Sequence, residues 1–338
     1  MKRLALILAT AVAGLLSLCA GLTTYGYFVF RDTPERAYHS QGPNAAWAEH
    51  KWVNAIQPVE EYGHLAATLR ANRITDVYFY MGWPGADGSI PPSDYSAASY
   101  MMRELRAVQP TLRLHAWIGQ VEKRGGGTLD LSDAEVRRGI TRTAASFLAL
   151  GFDGIHYGFP AVGSGNAHFL LLLDQTRILT KKAGAILSID ADALEPIPGL
   201  AWLTRKFGSQ NGYWTRRYYS EVASRVGQIA VTPGETMLPA QWINAGFIAW
   251  QTRAIRPLTV GRATLFMGVP PRDTGDTRAQ RLGLVASTVT GIRKGMAALG
   301  NDPFNDFGIA LDVSATADGS VDHVMLENWL DAGDLVAR

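Results

Sequence analysis

Three acidic residues stand where the sequence could place acid/base chemistry. Asp190 and Asp192 end the apolar run 186–192 (ILSIDAD), and their spacing of two puts both carboxyl groups on one face of a strand. Glu235 follows Pro233 and Gly234, a pair typical of a turn. Paired carboxylates can divide the acid and base roles of a reaction or bind a cation, so these three are the candidate catalytic residues. Helix capping or loop ordering is the alternative explanation for each.

A second group of residues has the chemistry to hold a sugar ring. Aromatic faces pack against the apolar face of a sugar, and neighbouring polar groups fix its orientation. The candidate substrate-binding residues are Trp83, Trp117, Asp153, His156 and Tyr157. His156 could serve as an acid near neutral pH, and a hydrogen-bonded histidine of the protein interior is the alternative.

The elements that must position these residues alternate along the chain. Short apolar runs predict strands, and amphipathic stretches between them predict helices. One such helix starts at a capping box, Ser132 to Glu135, and ends at Gly151. The predicted strands are 76–80, 112–117, 154–156, 185–189, 228–231, 264–268 and 307–311, with a first strand near 51–55.

Eight strand–helix units predict an α/β fold, a single (β/α)8 TIM barrel over residues 51–338. An open, doubly wound sheet is the structural alternative. Such a sheet would usually carry a G-x-G-x-x-G turn after an early strand, and Gly82 and Gly119 do not fit that pattern. In a barrel the candidate residues would meet at the carboxyl ends of the strands.

The N-terminal segment predicts export. Residues 4–30 carry no charge and follow Lys2 and Arg3, which indicates a transmembrane signal anchor over residues 1–30 with the rest of the chain outside the cytoplasm. A signal peptide cleaved near Ala20, giving a secreted protein, and lipid attachment at Cys19 are the alternatives. Residues 31–50 mix proline, glycine and charge, and we interpret them as a tether.

Composition excludes several classes of protein and partner. The 338 residues are 47% hydrophobic with a single cysteine, which argues against a disordered chain or a disulfide scaffold. Because 32 basic residues nearly balance 30 acidic ones, we expect no nucleic-acid partner. No H-x-H or H-E-x-x-H motif or cysteine cluster occurs, and we expect no metal and no cofactor; a metal site would need His115, His156 and Asp190 from three strands.

The stretch 151–160 (GFDGIHYGFP) resembles the fourth-strand signature D-G-x-D-x-D-x-E of family 18 glycoside hydrolases, which are chitinase-like barrels. Asp153 and Gly154 match the pattern, whereas His156 and Gly158 stand at the second and third Asp, and Pro160 stands at the proton-donating Glu. The similarity extends over about residues 50–312, including 186–192 and 228–239 (QIAVTPGETMLP).

The resemblance implies a glycan ligand and a degenerate catalytic motif, because proline cannot donate a proton. Our first hypothesis is therefore a membrane-anchored, extracytoplasmic barrel that binds an envelope or extracellular glycan. The second is an active glycoside hydrolase in which Glu235 acts with Asp190 or Asp192. The third is a non-catalytic interaction protein, which would be favoured if Trp83, Trp117 and Tyr157 filled the barrel mouth.

Overall fold

Parallel strands close into a barrel in the computed structural model, which describes residues 42–120, 122, 126–160, 162–202, 212–232, 241–269, 278–300, 305–312 and 329, with scattered positions between 9 and 24. The barrel strands are β1 (Asn44–Ala48), β2 (Ile74–Tyr80), β3 (Arg113–Gly119), β4 (Gly154–Gly158), β5 (Ile186–Ala191), β8 (Gln228–Val231), β9 (Thr264–Gly268) and β10 (Phe307–Asp312). Their order around the barrel is β1-β2-β3-β4-β5-β8-β9-β10, with β10 pairing back to β1. Two short strands, β6 (Ala193–Leu194) and β7 (Tyr213–Trp214), pair with each other beside it. This closed parallel barrel confirms the predicted fold class over the open sheet.

Helices connect the strands. They are α1 (Lys51–Asn54), α2 (Val59–Ala71), α3 (Ala98–Val108), α4 (Ala134–Leu150), α5 (Ala167–Ala183), α6 (Arg216–Ala223), α7 (Gln241–Thr259) and α8 (Arg278–Ala297). Helix α4 starts one residue later than predicted, because Asp133 rather than Ser132 caps it by accepting a hydrogen bond from Glu135 N at 2.8 Å. It ends at Gly151, whose φ of +105° lies in the left-handed region that favours glycine.

The first strand was predicted in the wrong place. Residues 51–54 form α1, and β1 lies at Asn44–Ala48, within the segment interpreted as a tether. All five β1 residues are buried, so the barrel begins before residue 51. Its sequence, NAAWA, contains three alanines and no β-branched residue, and therefore gives little strand signal.

Most of the N-terminal segment, residues 1–30, lies outside the described residues. Within the part of the chain that is described, no helix has the length and apolar character needed to cross a membrane.

An ion cluster fills the barrel interior at the amino ends of the strands. Asp76 on β2 accepts hydrogen bonds from Arg113 Nε at 2.7 Å and Nη2 at 2.6 Å, and from Gln228 Nε2 at 2.9 Å. His115 Nε2 lies 2.8 Å from the same carboxylate. Burial alone would raise the pKa of Asp76, but the bonds from His115 and Arg113 outweigh it and hold that pKa well below its usual range. The cluster therefore ties β2, β3 and β8 together at the end of the barrel opposite the candidate site.

Candidate functional site

Aromatic side chains line one side of the mouth, by which we mean the interior-facing residues at the carboxyl ends of the barrel strands. Trp47 on β1 is only 8% exposed and packs 6.2 Å from the ring of Tyr78. On β2 and β3, the rings of Tyr80 and Trp117 are 4.9 Å apart. The indole nitrogens of Trp47 and Trp117 are both buried, and neither has a hydrogen-bond partner among the residues that the structure describes. Two N–H donors therefore reach this end of the barrel unpaired.

Asp190 lies at the end of β5, two strands along the barrel from Trp117. Its Oδ1 is 3.0 Å from Nε2 of His156, close enough for an ion pair but not aligned for a hydrogen bond. His156 is fully buried on β4, where Nδ1 lies 2.9 Å from the hydroxyl of Ser188 and the ring stacks on Tyr78 at 3.9 Å. The histidine is thus fixed in orientation and presents one nitrogen to the carboxylate.

Asp192 follows β5 and shares the inward parity of Asp190. Its Oδ2 is buried without a hydrogen-bond partner in the described part of the chain, and a Cβ built on Gly212 would lie 2.7 Å from that oxygen. Burial raises the pKa of Asp192 to about 7, with a further contribution from the negative charge of Asp190. The two carboxyl groups therefore differ in environment, as the acid and base of a catalytic pair must.

Gly158, at the end of β4, leaves space for the side chains of Trp117 and Asp190 because it has no side chain of its own. A Cβ at this position would lie 2.3 Å from Trp117 Nε1 and 2.7 Å from Asp190 Oδ2, distances that atoms do not adopt. The Asp190 carboxylate, which comes from the neighbouring strand β5, therefore lies against the backbone of Gly158.

The structure brings together Trp117, His156, Asp190 and Asp192 from the predicted set. Asp153 instead precedes β4 at the opposite end of the barrel, where it accepts a hydrogen bond from Leu114 N at 2.9 Å and pairs with Arg106 at 3.1 Å.

Tyr157 does not lie at the mouth either. It points outward from β4, and its hydroxyl is 2.7 Å from Thr176 Oγ1 on α5. Strand alternation explains this position, because neighbours on a strand face opposite sides. Trp83 follows β2 and is 64% exposed, so the three aromatic residues of the third hypothesis do not fill the mouth together. Glu235 lies outside the described residues.

Two residues of the mouth, Trp47 and Tyr80, were not predicted. Trp47 was missed because its strand was interpreted as a tether. Tyr80 could have been found, since it shares the parity of Asp76 and Tyr78 on a strand that was predicted. Among the described residues, no group of three histidine, cysteine, aspartate or glutamate side chains is arranged to hold a metal ion.

Comparison with known proteins shows that the chain shares its fold with several solved structures. No protein-family model and no curated protein matches the chain. Among solved structures, the chain is similar to the spore cortex-lytic enzyme SleL of Bacillus cereus, with a TM-score of 0.58, 11% identity, and coverage of 88% of this chain and 76% of that one.

Two chitinase structures are similar to the chain at the same low identity. The C-terminal domain of a putative chitinase from Desulfitobacterium hafniense gives a TM-score of 0.58 at 11% identity, covering 87% of this chain and all of that one. A class V chitinase from Nicotiana tobaccum in complex with NAG4 gives a TM-score of 0.54 at 12% identity, covering 86% of this chain and 99% of that one. At this identity the likeness establishes the fold, a chitinase-like TIM barrel.

Proposed function

We propose that this protein binds a glycan at the barrel mouth. The observation that carries the proposal is a set of buried polar atoms at that end for which the described residues offer no partner: Trp47 Nε1, Trp117 Nε1 and Asp192 Oδ2. A buried polar group left unpaired costs about 1–3 kcal/mol, so three of them around one opening favour a ligand that supplies the missing bonds.

A glycan has the matching chemistry. Its hydroxyl groups can accept from the two indole N–H groups and donate to the carboxyl of Asp192, while its apolar ring face can pack on Trp117 and Tyr80. The fold supports the same ligand class, because the structurally similar Nicotiana chitinase is described in complex with NAG4. We propose an envelope or extracellular glycan as the natural ligand.

Binding without hydrolysis by the family's route is part of the proposal. Gly158 and Pro160 stand where the family pattern has a carboxylate that steadies the substrate and one that donates the proton. Neither residue can perform that step. Loss of a general acid alone typically removes about 10²–10⁴-fold in rate.

Hydrolysis by a rearranged pair is the second candidate function. It is favoured by one observation, the Asp190 carboxylate in the volume left by Gly158, beside a second carboxyl whose pKa is raised to about 7. Asp192 would donate a proton to the leaving oxygen, and Asp190, oriented by His156, would steady positive charge on the sugar. Glu235 remains a third candidate for this chemistry.

Calorimetry on the full-length protein in mild detergent tests the binding proposal, with the N-acetylglucosamine tetramer and a panel of cell-wall glycan fragments as probes. Trp117→Ala should weaken binding by about five- to tenfold, since an aromatic face contributes about 1 kcal/mol beyond buried area. Trp117→Phe keeps an aromatic ring but loses the N–H, so its affinity should lie between those of the wild type and Trp117→Ala. No heat with any glycan, or an unchanged affinity of Trp117→Ala, would refute the proposal.

Release of the chromophore from chromogenic chito-oligosaccharides separates the two functions. The binding proposal expects negligible turnover. Robust turnover that Asp192→Asn or Glu235→Gln abolishes would instead establish the hydrolase.

We propose further that residues 1–30 anchor the protein in a membrane with the barrel outside the cytoplasm, because an uncharged stretch follows Lys2 and Arg3. Protease added to intact spheroplasts should then digest the barrel. Full protection would contradict this location, and a soluble product beginning near residue 20 would favour cleavage instead.

A further inference from the structure

We propose that the mouth prefers a glycan carrying a free, protonated amino group, such as a glucosamine oligomer, over the neutral N-acetylated sugar. This inference rests on the proposed glycan binding and specifies the chemical class of the ligand. It follows from the charges, the aromatic faces and the unpaired polar atoms at that end of the barrel.

The negative charge of the mouth is not neutralised by the described residues. Neither Asp190 nor Asp192 lies within 4.0 Å of a described lysine or arginine nitrogen. Among the described residues, the basic group that approaches Asp190 is His156, whose other nitrogen already faces Ser188. Asp190 is 20% exposed, so its carboxylate can be reached from the opening. A ligand cation would provide the missing counter-charge.

Buried indole donors give an independent indication of a ligand. Trp47 is 8% exposed and lies in the interior cluster with Tyr78, yet its N–H has no acceptor. The N–H of Trp117, on the neighbouring side of the mouth, also lacks one. The ligand must therefore present oxygen acceptors as well as a positive donor. An amino sugar presents both within one ring.

Aromatic faces favour an organic ammonium group over a metal ion. Trp117 and Tyr80 lie 4.9 Å apart, and an ammonium group near an aromatic face gains about 0.5–2 kcal/mol. A hard metal ion needs six or more oxygen ligands, and the described residues offer no cluster of three acidic, histidine or cysteine side chains. An ammonium group can be held by two or three acceptors, and the partly exposed Asp190 carboxylate supplies two oxygens.

Calorimetry with two matched probes tests the inference on the full-length protein in mild detergent at pH 6.5. The glucosamine tetramer should bind about fivefold or more tightly than the N-acetylglucosamine tetramer, and the advantage should shrink in high salt, which screens charge. The double variant Asp190→Asn/Asp192→Asn should bring the two affinities to near equality, mainly by weakening binding of the charged tetramer, because Asp192 alone would ionise more readily once Asp190 is neutral.

Asp174→Asn is the matched control, because Asp174 lies on α5 in an ion pair with Arg225 and is 47% exposed. It should leave the preference unchanged. Equal affinity of the two tetramers, or tighter binding of the N-acetylated one, would overturn the charge preference while glycan binding stands. If neither tetramer nor any other glycan binds, the proposed function fails with it. Thermal unfolding of each variant shows whether a lost affinity reflects a lost fold.

Discussion

At the scale of single residues, the mouth depends on how β4 and β5 hold the two aspartates. His156, stacked on Tyr78 and bonded to Ser188, keeps Asp190 in place. Asp190 in turn raises the pKa of Asp192, in addition to the larger effect of burial. Burial, the larger cause, depends on how neighbouring elements pack, so the sequence showed the nearby charge of Asp190 but not the raised pKa of Asp192.

Asp190→Asn should lower the pKa of Asp192. The substitution removes one of the two causes of the raised value, and burial remains, so we expect a pKa between about 7 and the ordinary value of about 3.9. Carboxyl ¹³C NMR titration measures it directly. Asp174→Asn should leave it at about 7, and an unchanged pKa in Asp190→Asn would show that the two carboxyl groups do not interact.

The sequence predicted the carboxylates of the site but not all of its aromatic residues. Asp190 and Asp192 lie at and just after the end of β5, where the sequence placed them. His156 instead lies in the middle of β4, because the strand continues to Gly158 beyond its predicted end at residue 156. Tyr157 faces the opposite side from His156, as alternation along a strand requires, and Asp153 lies at the amino end of β4.

At the scale of elements, seven of the strands were predicted to within a few residues and β1 was not. Strands such as β9 (TLFMG) and β2 (ITDVYFY) contain large apolar residues, whereas β1 depends on packing and on pairing with β2 and β10. Asn44 supports that pairing: its Oδ1 accepts from Ile309 N and Trp329 Nε1, both at 3.2 Å. These partners are 265 and 285 residues away in the sequence, so a reading of local sequence patterns could not have predicted the contacts.

Gly158→Ala should disrupt the mouth through β4. The new methyl group would displace Trp117 Nε1 and Asp190 Oδ2, which would otherwise lie 2.3 and 2.7 Å from it. We expect a loss of stability of about 1–3 kcal/mol and weaker glycan binding by tenfold or more. Denaturant unfolding and calorimetry measure the two effects.

Gly63→Ala is the control for that substitution. Gly63 lies within α2, and nothing is within 4 Å of a Cβ built there. Because alanine favours helix, this variant should be about 0.5–1 kcal/mol more stable and bind glycan normally. If Gly158→Ala behaved in the same way, Trp117 and Asp190 would not occupy the positions described.

At the scale of the whole molecule, the barrel carries two carboxyl groups shifted in opposite directions at its two ends. Asp76 joins strands through the ion cluster and has a lowered pKa, so its contribution to stability is present above the unfolded value of about 3.9 and is lost as pH falls. Asp192 has a raised pKa and stays protonated in the folded protein while the unfolded chain ionises. Stability therefore declines as pH rises from about 4 to about 7.

The two groups together predict a stability maximum in acidic solution, near pH 4. The decline toward neutral pH reaches at most about 4 kcal/mol, since each pKa unit corresponds to about 1.4 kcal/mol. Asp192→Asn should remove most of that decline, so its melting temperature should exceed that of the wild type by several degrees at pH 7.5 and differ little at pH 4.5. Asp76→Asn should instead be less stable than the wild type at both pH values, because the substitution leaves Arg113 and His115 without their shared carboxylate. Calorimetric melting across this range measures all three proteins, and a wild-type melting temperature that rises from pH 4.5 to 7.5 with no gain from Asp192→Asn would show that Asp192 ionises freely in the fold.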